Sequence, residues 1–307
     1  MNRRRFLTLS AVASGTFAVG GLSRMGSGPV AAQISAPPTV DRLVLTNVVD
    51  NLYDIFARGG RLDTVTVERT PLGKTPLLAE HGLAYHIDSS RGGERRQILL
   101  DFSLTDWSLF NNDRALGIDP YAADALVLSH GHVDHYGALP ALATAGQGKW
   151  KPGVTVYAGG EDTFCHRVVV TPAATIDQGQ LDRPALEAKP GDLVADNFQG
   201  EHATAFLVKD RGLVVITSCG HAGVINSVRQ VQKATGIEKI HAVVGGFHLA
   251  PAPDEVVAKT VAAFKAINPD YILPAHCSGL NTIMAVHREL PAKLIMPSTG
   301  TRVVFGA

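Results

Sequence analysis

Short apolar runs and helix-length amphipathic stretches alternate along the chain, and together they predict a mixed α/β protein. Apolar runs at residues 42–49, 84–87 and 98–100 have the length of strands. The polar, glycine-containing cluster at residues 89–94 separates the last two runs and predicts a hairpin. Another short apolar run, at residues 125–128, predicts a buried strand.

The later part of the chain shows a regular strand–helix alternation. A hairpin is predicted over residues 204–216, and strands are predicted at residues 240–244 and 271–273. Four helices are predicted from their apolar spacing, at residues 136–145, 224–235, 254–267 and 280–290. This rhythm is typical of sheets covered by helices.

The composition is that of an ordinary globular domain. The chain has 307 residues, of which 45% are apolar and 18% charged, so it can bury a large core. Its formal net charge is zero, which provides no basic field for nucleic acid. Residues 164–197 show no sustained period and predict a loop-and-hairpin insertion. We expect one domain over residues 33–307.

The first 32 residues have the features of an export signal. Arg3, Arg4 and Arg5 precede an apolar stretch rich in Gly, Ala and Ser, and small residues follow at 30–32. This segment resembles a twin-arginine signal, which implies the twin-arginine export machinery as a partner and a periplasmic or extracellular location. The alternative is an uncleaved, membrane-anchoring amino terminus. No other segment is long and apolar enough to predict a membrane span.

A cluster of metal-binding side chains follows the predicted strand at 125–128. His130, His132, Asp134 and His135 lie within six positions, where the end of a strand holds side chains firmly yet leaves them open to solvent. His130 and His132 alternate as on an extended backbone and can bind one ion. Asp134 and His135 can turn toward a second ion. The spacing therefore indicates a metal site.

The run at 130–135 resembles the His-x-His-x-Asp-His signature of the metallo-β-lactamase superfamily. Further matches lie at residues 80–83, 111–119, 218–226, 245–249 and 274–279. Together they resemble the branch named for 7,8-dihydropterin-6-methyl-4-(β-D-ribofuranosyl)aminobenzene-5′-phosphate synthase. The resemblance spans residues 43–304 and implies an αββα sandwich, in which the ends of distant strands converge on one edge.

The resemblance implies a pair of divalent metal ions, for which zinc is favoured and manganese or magnesium are alternatives. On this interpretation one ion is bound by His130, His132 and His221. The second ion is bound by Asp134, His135 and His276. Cys219 stands where many superfamily members have a bridging aspartate. Its thiolate either binds the metal, which favours zinc, or packs as a small buried residue.

Several other residues are candidates for roles around the metals. His248 follows a predicted strand, and either completes a metal shell, donates a proton to a leaving group or makes a supporting hydrogen bond. We assign catalytic roles to Asp134 and His248. His202 is a weaker candidate ligand, and Asp101 is predicted to orient a ligand imidazole. The resemblance also places His81 and Asn112 in the pocket. Cys277, next to His276, is predicted to face away from the metals.

The function predicted from these residues is that of a metal-dependent hydrolase. A metal-activated hydroxide would attack an ester, lactone or phosphodiester in a small-molecule substrate. One alternative is a synthase-like transferase acting on a dihydropterin and a ribofuranosylaminobenzene phosphate, although an export signal disfavours those cytoplasmic substrates. The other alternative is a non-catalytic protein that binds metal or a small molecule.

Overall fold

A computed structural model of the chain describes residues 37–158, 168–170, 175–177 and 201–306. The predicted signal at residues 1–32 lies outside these ranges. In chain order, the strands are β1 Thr39–Val40, β2 Arg42–Val49, β3 Gly60–Leu62, β4 Val65–Arg69, β5 Ala84–Arg91, β6 Glu94–Leu100, β7 Ala125–Val127, β8 Thr155–Tyr157, β9 Val168–Val170, β10 Thr175–Asp177, β11 Ala203–Val208, β12 Gly212–Thr217, β13 Ile240–Gly246, β14 Tyr271–Ala275 and β15 Thr301–Gly306. The α-helices are α1 Asp106–Leu116, α2 Val133–Tyr136, α3 Leu139–Ala145, α4 Val224–Thr235, α5 Asp254–Ile267 and α6 Leu280–Glu289.

Two sheets form the centre of the molecule. The larger sheet has eight strands in the order β3-β4-β15-β2-β5-β6-β7-β8, antiparallel as far as β6 and parallel from β6 to β8. The smaller sheet has the order β1-β11-β12-β13-β14, in which β12, β13 and β14 run parallel. A separate antiparallel pair, β9 and β10, falls in the predicted insertion, and the rest of residues 164–197 lies outside the described ranges.

Three apolar clusters define the layers. The first lies between the sheets and joins side chains of both, such as Leu45 and Ile87 of the larger sheet and Ile216 and Val244 of the smaller one. The second packs the outer face of the smaller sheet against α4, α5 and α6. The third packs the outer face of the larger sheet against α1 and α3. These layers confirm the αββα sandwich.

The burial pattern of β12 follows directly from this layering. All six of its residues are buried, because Val214 and Ile216 face the other sheet while Leu213 and Val215 face the helices. A strand covered on both faces is expected to be apolar throughout. The continuous apolar run in the sequence therefore reflects a central position in the sandwich.

Most predicted elements are present, but one predicted helix is divided and several elements were not predicted. The predicted helix at 136–145 is divided into α2 and α3, and Gly137 lies between them with its Cα so close to the Leu104 carbonyl that a side chain would clash. Helix α1 was not predicted, because its polar sequence lacks a clear apolar stripe. It begins after Thr105 and ends at Gly117, whose φ of 68° suits glycine. Strand β15 was also missed, although it pairs with both β2 and β4.

The parallel strands bring chemically active residues to one edge. Because β12, β13 and β14 run parallel, the segments that follow them leave the sheet on the same side. Those segments carry Cys219 and His221, His248, and His276. Strand β7 of the other sheet delivers His130 and His132. Among the described residues, no helix is long and apolar enough to cross a membrane.

Candidate metal centre

Three imidazoles from two sheets converge at this edge. The Nε2 atom of His130 lies 3.1 Å from Nδ1 of His132 and 3.1 Å from Nε2 of His221. His130 and His221 are fully buried, and His132 is partly exposed to a cavity. Three ring nitrogens directed at one point form a ready set of metal donors.

A second set of donors is centred on Asp134. Its Oδ2 atom lies 3.2 Å from Nε2 of His276, 3.4 Å from Nε2 of His81 and 3.7 Å from Nε2 of His135. His81, Asp134 and His276 form a convergent group. His81 is largely exposed and lines the cavity, as predicted. His81 joins Asp134 and His276 in this group, and His135, the third member of the predicted set, lies close to the same Asp134 oxygen.

His135 and Cys219 lie between the two sets. The Sγ atom of Cys219 is 3.3 Å from Nε2 of His135, and both side chains form a convergent group with His130. The position of Cys219 is thus compatible with a bridging ligand. Burial raises the pKa of the Cys219 thiol well above its usual range.

The predicted outward orientation of Cys277 is wrong. Its Sγ atom lies 3.4 Å from Sγ of Cys219, and the residue lines the cavity. After β14 the chain enters a 3-10 turn at His276–Ser278, and His276 has a left-handed backbone with φ 48°. Because the strand conformation ends there, His276 and Cys277 do not alternate between opposite faces.

His248 stands next to the first set of donors. Its ring centroid is 4.4 Å from that of His221, and it forms a convergent group with Cys219 and His221. Its backbone N–H donates to Sγ of Cys277 at 3.3 Å, and its φ is 50°. His248 also lines the cavity, so its ring is in reach of a bound molecule.

Asp101 orients His135, as predicted. Its Oδ2 atom accepts a 2.7 Å hydrogen bond from Nδ1 of His135 and another, also 2.7 Å, from the hydroxyl of Ser129. The backbone N–H of Ser129 donates to Oδ1 at 2.8 Å. The Ser129 hydroxyl also contacts Nδ1 of His130 at 2.8 Å. One buried carboxylate therefore fixes two of the converging rings.

Glu201 holds the loop that carries Cys219 and His221. Its carboxylate accepts hydrogen bonds from the backbone N–H groups of Cys219 at 2.6 Å, Gly220 at 2.9 Å and His221 at 2.7 Å. Sequence reasoning missed this role. The only signal was an acidic residue directly before β11, and nothing local indicates that it reaches a loop after β12.

Asp50 and Asn51 position His276. The Asp50 carboxylate accepts the backbone N–H of His276 at 2.9 Å and the side-chain amide of Asn47 at 2.8 Å. Oδ1 of Asn51 lies 3.0 Å from Nδ1 of His276, and its amide nitrogen lies 3.2 Å from Nδ1 of His81. Burial raises the pKa of Asp50, although these hydrogen bonds and His276 oppose the shift.

Close approach of the backbone is needed beside the donors. A Cβ atom at Gly246 would lie 2.3 Å from the Ser218 carbonyl and 2.7 Å from Sγ of Cys277. No side chain fits at this point. Gly246 therefore allows the ends of β12, β13 and β14 to meet closely enough for their ligands to share one centre.

Electrostatics among the donors are strongly coupled. Burial lowers the pKa of His130 well below its usual range, and the neighbouring histidines lower it further. For His135, burial is outweighed by Asp134 and Asp101, which raise its pKa to about 9. Burial would raise the pKa of Asp134, but His135 and His276 bring it well below its usual range.

Two weaker predictions have different outcomes. Asn112 does not line the cavity; its side chain is fully buried and bonds the backbone of Leu78 and Val48. It is a structural residue that ties α1 to the segment before β5. His202 donates its backbone N–H to the Ser129 carbonyl at 3.0 Å, and its ring is absent from the convergent donor groups of the described residues.

The donor set fits divalent metal ions. Zn–N bonds of about 2.0–2.1 Å in a tetrahedral shell place ligand nitrogens about 3.3 Å apart, and the nitrogens of the first set lie 3.1 Å apart. Imidazole, carboxylate and thiol groups are all common zinc ligands. The same centre opens into a cavity of about 670 Å³, lined by His132, Asp134, His221, His248 and His276 among others.

Comparison with known proteins identifies relatives over most of this structure. Residues 87–276 match the family model described as metallo-beta-lactamase superfamily. A curated relative, the 7,8-dihydropterin-6-methyl-4-(beta-D-ribofuranosyl)-aminobenzene-5′-phosphate synthase of Methanocaldococcus jannaschii, is 26% identical over 254 residues. That alignment covers 67% of this chain and 83% of the relative.

The chain is also similar to proteins of solved structure. A protein described as a metal-dependent hydrolase of the beta-lactamase superfamily has a TM-score of 0.59 and 21% identity, covering 85% of this chain and 98% of its own, and it agrees with the fold. The metallo-beta-lactamase fold protein YhfI from Bacillus subtilis has a TM-score of 0.45 and 14% identity, with coverage of 85% and 98%.

Proposed function

Because the chain belongs to the metallo-beta-lactamase superfamily, we propose that it is a metal-dependent hydrolase acting on a small molecule that enters the cavity beside the donor cluster. The observation that supports this most directly is the convergence of donors from both sheets at an open cavity. A purely structural metal site is normally closed on all sides, whereas a catalytic one keeps a position open.

Two divalent ions fit the two donor sets. His130, His132 and His221 would hold one, and Asp134, His276 and His81 the other, with Cys219 and His135 between them. Divalent ions bound there would lower the pKa of a water and stabilise negative charge on the reacting oxygen. Zinc suits this mixture of imidazole, thiol and carboxylate donors best.

The surrounding residues contribute orientation and proton transfer. Asp101, Glu201 and Asp50 each hold one ligand-bearing segment by several hydrogen bonds, so the donors are fixed before substrate arrives. His248 lines the cavity next to His221 and is the candidate proton donor to the leaving group. Asp134 would offer Oδ2 to the same ion as Nε2 of His276, which lies 3.2 Å away, while Asn51 orients the His276 ring at Nδ1.

Metal analysis combined with a substrate panel tests this function. We expect about two equivalents of zinc per chain and hydrolysis of an aryl ester, lactone or phosphodiester that chelator abolishes. His221→Ala should lose zinc and activity. His287→Ala, at an exposed position on α6, should retain both and serves as the matched control. Intact protein without any bound transition metal would contradict the proposal.

The synthase of Methanocaldococcus jannaschii supports a second candidate function, a transferase of related chemistry. Incubation of the zinc-loaded protein with a dihydropterin pyrophosphate and ribofuranosylaminobenzene phosphate distinguishes the two. A joined product with release of pyrophosphate would favour the transferase, whereas hydrolysis of simple esters alone would favour the hydrolase.

We also propose that the protein is exported by the twin-arginine pathway, on the basis of residues 1–32. Mass measurement of the protein recovered from its native compartment tests this proposal. A mass lacking residues 1–32 supports it, and a full-length, membrane-associated chain would support an uncleaved anchor instead.

A further inference from the structure

Large apolar side chains surround the entrance to the metal cavity. Leu52, Leu280 and Met296 line it, and their exposed fractions are 46%, 68% and 37%. Leu104, Val133 and Ile283 line it as well. Single exposed apolar residues are ordinary on protein surfaces, but several around one cavity mark a site that binds an apolar group.

These side chains come from separate segments that the fold holds together. Leu52 follows β2, Leu280 begins α6, and Met296 follows α6. The Leu52 carbonyl accepts the backbone N–H of Thr299 at 2.8 Å, which joins the first segment to the third. Leu280 follows closely on His276 and Cys277. The apolar rim is therefore built on the same segments as the ligands.

Lysine and arginine are absent from the part of this cavity's lining that the structure describes, within residues 37–158 and 201–306. Arg69 contacts the segment after α6 that carries Met296. Its guanidinium donates there to the Met296 carbonyl at 2.6 Å and to the hydroxyls of Ser298 and Thr301. A phosphate group placed away from the reacting bond would thus meet apolar side chains and not the cations that usually bind phosphate.

Lysine and arginine side chains line a different cavity, where acidic side chains accompany them. That cavity, of about 820 Å³, is lined by Arg42, Arg61, Lys209 and Arg211 together with Asp41, Asp63, Glu68 and Asp210. Residues 209–211 form the turn before β12, whereas Cys219 follows the other end of that strand. The charged cavity is accordingly separated from the metal cavity by the length of β12.

We propose that the substrate is an ester or lactone with an uncharged apolar chain or ring beside the reacting bond, held between Leu52, Leu280 and Met296. This inference rests on the proposed hydrolase function and specifies its substrate class. Hydrolysis adds water across the acyl C–O bond; the acyl carbon gains the hydroxyl and the leaving oxygen gains the proton. The apolar substituent stays unchanged and contributes only to binding.

Binding of alkyl hydroxamates tests the apolar subsite without requiring turnover. Acetohydroxamate, butanohydroxamate and octanohydroxamate share one chelating head and differ only in chain length. Calorimetry on the zinc-loaded protein should show affinity rising about two- to threefold per methylene, somewhat less than full burial would give because the rim is half exposed. A hexanohydroxamate ending in a phosphonate should bind more weakly than hexanohydroxamate itself.

Two variants on the same helix provide the comparison. Leu280→Asn should weaken octanohydroxamate at least threefold and leave acetohydroxamate unchanged. Met284→Asn is the matched control, because Met284 is 60% exposed on α6 and does not line the cavity. Both positions are exposed, so neither substitution should affect folding.

The outcomes separate this inference from the proposed function. A chain-length gradient in hydroxamate affinity without hydrolysis of any aryl ester, phosphodiester or 4-alkyl γ-lactone would reject the hydrolase and retain the apolar subsite. Hydrolysis of these lactones with no gradient in kcat/KM or in hydroxamate affinity would reject the apolar subsite alone. Equal effects of Leu280→Asn and Met284→Asn, or tighter binding of the phosphonate compound, would also overturn the inference.

Discussion

Oδ2 of Asp101 and Nδ1 of His135 are joined by a fully buried 2.7 Å hydrogen bond, which leaves Nε2 of His135 facing Cys219. Asp101→Asn can keep the hydrogen bond from the backbone N–H of Ser129 at Oδ1, but an amide nitrogen in place of Oδ2 accepts neither from the Ser129 hydroxyl nor from Nδ1 of His135, so the ring loses its orientation. We expect metal affinity to fall about 10- to 100-fold with little loss of folded protein. Competition with a chelator, followed by metal analysis, measures the change.

The chain contains a matched control for that experiment. Asp270 makes a similar 2.8 Å hydrogen bond to Nδ1 of His241, a buried histidine outside the donor groups of the described residues. Asp270→Asn should therefore leave metal affinity unchanged. A similar loss of affinity in both variants would mean that Asp101 acts through general stability and not through His135.

The Glu201 carboxylate provides the second prediction. Glu201→Gln retains one acceptor oxygen where three backbone N–H groups converge, so the loop at 219–221 should lose part of its support. We expect about 1–3 kcal/mol lower stability and weaker binding of the ion held by His221. Thermal unfolding with and without zinc measures both effects. Glu255→Gln, at an exposed position on α5, should change neither.

Cys219 is tested by two substitutions with opposite expectations. If its thiolate binds metal, Cys219→Ser should lower metal affinity at neutral pH, because serine stays protonated where the ion deprotonates cysteine. Cys219→Asp should then restore part of the affinity. If Cys219 is a packed residue, serine should be tolerated and aspartate should destabilise the fold.

Cys277→Ser separates the two thiols in the same assay. Sγ of Cys277 lies 3.4 Å from Sγ of Cys219 and converges with Cys219 and His276. Cys219 also converges with His130 and His135, in a group that does not contain Cys277. We expect a smaller effect on metal affinity than from Cys219→Ser. Chelator competition on all three variants, with thermal stability recorded in parallel, ranks them. Unchanged affinity in Cys219→Ser would remove this residue from the ligand set.

Asp113 on α1 predicts a dependence of stability on pH. Burial, assisted by Asp119, raises the pKa of its carboxyl to about 7, well above the usual range of an aspartate. Between about pH 4 and pH 7 the folded chain keeps a proton that the unfolded chain loses, so the free energy of unfolding falls as pH rises through this window. This contribution stays lost above about pH 7.

Asp113→Asn should remove that loss. The variant should match the parent near pH 4 and exceed it at pH 8 by about 2–4 kcal/mol, because a tenfold difference in proton affinity between folded and unfolded chains is worth about 1.4 kcal/mol. Denaturant unfolding at both pH values measures the difference. Asp106→Asn, which changes an exposed carboxylate on the same helix, should not show this pH-dependent gain.

The sequence predicted those parts of the structure whose cause is local. His130, His132, Asp134 and His135 are visible because they form one short motif after an apolar strand. The layered fold is visible because buried strands and amphipathic helices alternate with clear periods. The order of the strands and the convergence of their ends required the family resemblance, since spacing alone does not define them.

The missed features depend on long-range contacts. Glu201 reaches three N–H groups of a loop that lies beyond the next hairpin strand, and no local pattern records such a contact. The inward direction of Cys277 results from the left-handed turn at His276, which periodicity cannot reveal. His81 reaches Asp134 from a separate segment, so its inclusion in the second donor set could not be derived from the 130–135 motif.

Four non-glycine residues in the segments that carry or orient the donors have left-handed backbones, namely Asp101, Ser103, His248 and His276, with φ between 48° and 62°. Each such conformation costs about 1–2 kcal/mol relative to ordinary backbone. Substitutions that return these residues to ordinary backbone conformations would raise the stability of the fold. The imidazoles would then lose their alignment. A thermostable descendant of this protein that keeps its chemistry should therefore gain its substitutions on the outer helices and leave these four positions unchanged.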